Sequence, residues 1–113
     1  MNLAEIVERL DLKVFSGHRE LARTVGGGYA GDLLSDVMAH AQKDHLWITI
    51  QVHPNIVAVA VLKDLSAILI ANGREPAEET AARAEKENIP VLGTPLNTFE
   101  IAAKLGGLGV RGA

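Results

Sequence analysis

The sequence predicts an α/β domain with a mainly parallel sheet flanked by helices, and three observations lead there. From about residue 46 onward, apolar strand-like runs alternate with helical patterns, the chain order that produces crossovers and parallel pairing. Helix starts are marked by capping residues, with Asn2 and Asn97 each followed three residues later by a glutamate. The hydrophobic fraction is 48% but the aromatic fraction only 4%, so the core must be built from Ala, Val, Ile and Leu.

Each element follows from local signals. Leu3, Ile6, Val7 and Leu10 recur at helical spacing behind the Asn2/Glu5 pair. Leu12 to Phe15 is a short strand ended by Ser16-Gly17, and Arg23 to Gly28 is a second strand candidate. Asp32 is an N-cap for a helix reaching about His40, because Leu33, Leu34, Val37, Met38 and Ala41 share one face. Leu46 to Val52 alternates and reads as a strand. The run Ile56 to Leu62 is compatible with either state: its β-branching favours a strand, whereas Pro54 suits a first helical turn. A helix is expected, because a strand would leave two long apolar strands with no crossover between them. Ser66 to Ala71 is a strand stopped by Asn72-Gly73. Pro76 to Glu87 is a helix, acidic at Glu78 and Glu79 and basic at Arg83 and Lys86, as the helix dipole favours. Pro90 to Gly93 is a brief strand, and Asn97 opens a last helix through Leu105 that Gly106 and Gly107 terminate. Residues 1–105 thus form one domain, and 106–113 are expected as a flexible tail.

Composition narrows the function. A chain of 113 residues has room for one core. With a net charge of −3 and no basic cluster, it is not expected to bind nucleic acid or an anionic membrane. The start Met1-Asn2-Leu3-Ala4-Glu5 lacks the pattern of a signal peptide, and the Ile56–Leu62 run is too short to span a bilayer, so a cytoplasmic protein is expected. The chain has no cysteine, which removes thiol chemistry. The four histidines, His18, His40, His45 and His53, show no metal-ligand spacing and read as surface or capping groups. Ser16, Ser35 and Ser66 sit in no triad motif, and Asp32 with Asp36 reads as a cap and a solvated neighbour. No phosphate-binding G-x-x-x-x-G-K-[ST] occurs. A non-enzyme without metal or tightly held cofactor is expected.

A parallel sheet opens its strand-to-helix loops along one edge, where ligands of open α/β sheets bind. The loops there carry His53 and Asn55, then Asn72, Gly73 and Arg74, then Thr94, Asn97 and Thr98. His53 lies at a helix start that favours anions, and Arg74 suits a phosphate or carboxylate. The competing readings are capping for His53, Thr94, Asn97 and Thr98, and a salt bridge to Glu75 or Glu78 for Arg74. The segment Gly26 to Gly31 matches G-x-G-x-x-G, yet the following strand ends in Gln51 rather than an acid, and Asp32 would confront a pyrophosphate. A corner with closely packed glycines competes with a phosphate cradle; Gly27, Gly28 and Tyr29 are kept as a candidate ligand wall.

The segment Arg23 to Met38, then Leu46 to Ala60, Asn72-Gly73-Arg74-Glu75-Pro76 and Ile89 to Thr94, together resemble the DRTGG domain over essentially the whole chain. Arg23 and Gly27-Gly28 keep the name-giving pattern, while Ala22 and Gly26 stand where an acid and a threonine are expected. The domain is similar to the amino-terminal domain of HPr kinase/phosphorylase and occurs in pyrophosphatases that carry CBS domains. The resemblance implies a three-layer α/β domain without catalysis of its own, tied to regulation and to homodimerisation. Two readings follow: a sensor for a small anionic ligand such as an adenine nucleotide, or a dimerising module that recruits a partner enzyme.

Overall fold

The computed structural model describes residues 1–112. Helix α1 (Leu3–Leu10) opens on the expected capping box: Asn2 Oδ1 accepts the Glu5 amide at 3.0 Å and Glu5 Oε1 accepts the Asn2 amide at 3.2 Å. It ends where Asp11 adopts a left-handed conformation. There follow β1 (Lys13–Ser16), a 3-10 turn (His18–Glu20), β2 (Gly27–Ala30), α2 (Leu34–His40), β3 (His45–Thr49) and α3 (Asn55–Lys63). The chain closes with β4 (Ala67–Ile70), α4 (Glu78–Lys86), β5 (Val91–Gly93) and α5 (Thr98–Gly107). Among the described residues no helix is long and apolar enough to cross a membrane.

The five strands lie in the order β1-β5-β4-β3-β2. Strands β2 to β5 are mutually parallel, and β1 joins the edge antiparallel to β5. Because successive parallel strands are added in one direction, crossovers of one hand put α2, α3 and α4 on the same face. There they cover Trp47, Ile68, Ile70 and Val91. Helices α1 and α5 cover the opposite face through Leu3, Ile6, Ile101 and Leu105, against Leu46, Ile48, Leu69 and Leu92. Neighbouring strand residues therefore go to opposite cores, as the period of two requires. The result is the expected α/β sheet between helices.

The Ile56–Leu62 run is helical, within α3, and supplies the crossover between β3 and β4. Three local expectations are corrected. The segment around Gly27 is not a corner after a strand: Gly27 to Ala30 are themselves strand, paired with His45 to Ile48. Glycine is a poor strand former, but neighbours on both sides of the backbone make this placement possible. Asp32 does not cap α2, whose N-cap is Leu33 with no side-chain hydrogen bond. Its carboxylate instead accepts from Thr49 Oγ1 at 2.9 Å and from the Ile50 amide at 2.8 Å, tying the exit of β2 to that of β3. Finally, α5 runs through Gly106 to Gly107, since both glycines accept helical geometry before the turn at Leu108.

Candidate ligand cleft at the carboxyl ends of the strands

Strand β4 ends at Ile70 and β5 at Gly93, side by side in register. The loop after β4 turns through two consecutive left-handed residues, Asn72 (φ 62°) and Gly73 (φ 67°), a conformation Asn and Gly tolerate best. Their amides bond to the loop after β5: Asn72 to the Leu96 carbonyl and Gly73 to the Thr94 carbonyl, both at 2.8 Å. The two loops are thus joined into one rim. Arg74 extends from it into solvent, and among the described residues its guanidinium has no carboxylate or hydrogen-bond partner. The competing reading, a salt bridge to Glu75 or Glu78, does not form.

The antiparallel edge strand completes the site. Lys13 opposes Gly93, so the start of β1 lies at the end of β5. Asp11, Lys13 and Phe15 then face Gly73, Arg74, Glu75, Thr94 and Pro95 across a cleft of about 160 Å³. Phe15 lies close over Gly93: a Cβ there would stand 2.5 Å from Phe15 Cε2, which is why glycine ends this strand. Lys13 Nζ sits 4.9 Å from the Phe15 ring centroid and 3.9 Å from the Glu75 carboxylate, with both ion-pair side chains exposed. Such a pair contributes little, so Lys13 is available to another anion. Thr94 is only 4% exposed, and its hydroxyl accepts the Leu96 amide at 3.3 Å, leaving the hydroxyl proton to be donated.

Of the residues singled out in the sequence, the cleft gathers Gly73, Arg74 and Thr94, with Asn72 shaping its rim. The remainder lie elsewhere. His53 and Asn55 are exposed at the start of α3, whose preceding loop leans on α4 through the Val52 carbonyl, which accepts the Ala77 amide at 3.0 Å and Thr80 Oγ1 at 2.7 Å. Asn97 is engaged in a full capping box with Glu100, at 2.9 and 3.1 Å, and Thr98 begins α5 behind it. Gly27, Gly28 and Tyr29 sit on β2, three strands from β5, roughly 14 Å away at the usual strand spacing. The Tyr29 hydroxyl donates to the Asp36 carboxylate, and that bond pushes its pKa above the ordinary tyrosine value. Its ring stacks on His40 with centroids 6.4 Å apart.

Lys13 and Phe15 were not foreseen as site residues, since only long-range pairing brings β1 beside β5. Arg23 is a structural pin: its Nη2 donates to the Asn88 carbonyl at 2.7 Å and its Nε lies 3.5 Å from Glu20. His45 is not a surface group. It is 2% exposed on β3, where Nδ1 accepts the Gln42 amide at 3.2 Å and burial lowers its pKa.

Residues 5–108 match the family model of the DRTGG domain. The chain belongs to the DRTGG domain family. Among solved structures, this DRTGG chain is similar to the CBS and DRTGG domains of the regulatory region of Clostridium perfringens pyrophosphatase, complexed with its activator diadenosine tetraphosphate. The TM-score is 0.74 at 18% sequence identity, over 90% of the DRTGG chain and 44% of the pyrophosphatase chain. The shared property at that identity is the fold, and the chain spans less than half of that neighbour's length. No curated protein matches it.

Proposed function

We propose that this DRTGG chain is a non-catalytic regulatory module that binds a small anionic ligand in the cleft between β1 and the β4 and β5 loops. One observation carries the reading: Arg74, which has no carboxylate partner among the described residues, lines the same cleft as Lys13 and Thr94 at the strand-end edge, where α/β sheets receive ligands. Guanidinium, ammonium and hydroxyl donors together suit a phosphate or carboxylate. The cleft volume of about 160 Å³ is below the roughly 300 Å³ of a typical small-molecule pocket, so it suits one anionic group rather than a whole nucleotide. An adenine nucleotide would place a phosphate here and extend its remainder over the rim. The diadenosine tetraphosphate in the regulatory region of the pyrophosphatase supports this ligand class for a chain of the same fold.

Isothermal calorimetry with AMP, ATP, diadenosine tetraphosphate and inorganic phosphate tests the proposal. Saturable binding is expected, weakened by Arg74→Ala and by Lys13→Ala, and unchanged in His53→Ala, since His53 lies outside the cleft. Absence of binding across this panel at millimolar concentration would remove the reading.

A further inference from the structure

The cleft carries charges of both signs. Asp11 and Glu75 line it together with Lys13 and Arg74, two carboxylates against two cations. Lys13 and Glu75 offset each other at 3.9 Å. That leaves one unpaired charge of each sign, because among the described residues neither Asp11 nor Arg74 has an ion-pair partner. The two line the same cleft, yet they do not pair with one another.

Nothing in the backbone requires the charge at Asp11. The residue ends α1 in the left-handed region at φ 52°, and the cap is made by its own backbone amide, which donates to the Glu8 carbonyl at 3.4 Å. Asn72 and Asn88 adopt the same conformation, at φ 62° and 59°. A neutral asparagine would therefore serve the turn equally well. The turn leads directly into β1, whose first residue, Lys13, opposes Gly93 at the end of β5. Asp11 is thereby brought to the carboxyl ends of the parallel strands, where Arg74 arrives from the loop after β4.

We infer that the ligand of this cleft is a zwitterion, a small molecule whose phosphate or carboxylate lies on Arg74 and whose ammonium lies on Asp11. The inference rests on the anion site proposed above and adds a second, opposite charge to its ligand. A purely anionic ligand meets as many carboxylates as cations here, so Asp11 and Glu75 offset its attraction to Arg74. A zwitterion sets each end on a charge of opposite sign. Phe15 and Pro95 supply an apolar wall for the carbon chain between the two ends. The cleft volume of about 160 Å³, against roughly 300 Å³ for the smallest typical ligand pockets, limits that chain to a few carbons.

Matched ligands that differ only in the ammonium test this on the full chain. Phosphoethanolamine is paired with ethyl phosphate, and β-alanine with propionate, so the two arms also separate a phosphate from a carboxylate as the anionic end. Titrations are followed by NMR at the Gly73 and Thr94 amides, which mark the cleft. In at least one arm the zwitterion should bind roughly fivefold more tightly than its partner, as for an ion pair open to solvent, and added salt should shrink the advantage. Asp11→Asn keeps the left-handed turn and should erase the advantage in that arm, while the ligand without an ammonium binds slightly better because a like charge is gone. Equal affinities within both pairs, measured on the wild-type chain, would overturn the zwitterion and leave the anion site standing. An advantage that survives Asp11→Asn would overturn the assignment of the ammonium to Asp11. If none of these ligands, nor inorganic phosphate, moves the two amides, the anion site itself fails and the inference falls with it.

Discussion

The two ends of the sheet both carry glycines, yet they use their backbones and side chains in opposite ways. At β2 the amides of Gly26, Gly28 and Gly31 go to Asp44, Arg111 and Ile48 at 2.9, 2.7 and 3.0 Å, so none remains to cradle a phosphate. At the ends of β4 and β5 the amides of Asn72 and Gly73 are likewise engaged, but only with the neighbouring loop. Arg74, Lys13 and Thr94 line one cleft there, together with the Asp11 and Glu75 carboxylates, and among the described residues no carboxylate pairs with the arginine. A glycine-rich stretch is therefore a statement about close approach. Which partner approaches decides whether the stretch is a binding site or a seam.

The contrast is broken most severely at Trp47, the largest fully buried side chain, whose indole N–H donates to the Gly31 carbonyl at 2.8 Å. Trp47→Ala should destabilise the chain by about 3–5 kcal/mol in urea titration. Trp47→Phe should cost about 1–3 kcal/mol by leaving that carbonyl without its donor. Equal effects of the two would show that the hydrogen bond, not the ring, holds the exit of β2. Asp32→Ala comes next, at about 1–2 kcal/mol for two hydrogen bonds to a carboxylate. Its signature is faster hydrogen exchange at the Ile50 amide; acceleration confined to the first turn of α2 would restore Asp32 as a helix cap.

Arg74→Ala sharpens the other side of the comparison. Stability should stay within about 0.5 kcal/mol, as for an exposed side chain without partners. Phosphate or nucleotide affinity should fall roughly tenfold, the loss of one charge-assisted contact. Unaltered affinity in calorimetry would move the ligand away from the cleft. The smallest effect is in pH. Because burial lowers the pKa of His45, the folded chain favours the neutral ring while the unfolded chain takes up a proton near pH 6.5. This contribution is complete above about pH 6.5 and is lost as the pH falls below it. Urea midpoints should therefore decline between about pH 7 and 5, and His45→Gln should flatten that decline.

Much of the fold is legible in the residues. The capping boxes at Asn2 and Asn97 form as written, because both partners lie within one helical turn. The helical state of Ile56–Leu62 follows from the need for a crossover, although periodicity alone leaves it open. The strand candidate Arg23 to Gly28 overlaps β2 only at Gly27 and Gly28: nothing local carries the strand on through Tyr29 and Ala30, and its pairing partner β3 lies beyond a helix. For the cleft, loop logic finds Gly73, Arg74 and Thr94. It misses Lys13 and Phe15, since β1 meets β5 across about 80 residues of chain in an antiparallel sense that the parallel pattern does not announce.

Taken alone, the sequence determined which segments are helices, the capped starts of α1 and α5, the alternation of strand and helix, and hence a parallel sheet with its loops at one edge. These depend on contacts within a turn or on the burial of one face. Tertiary structure decided which loop keeps free groups and which glycines are packed against backbone. Those outcomes turn on pairings between residues far apart in the chain: Lys13 with Gly93 on one side of the sheet, Gly28 with Arg111 on the other.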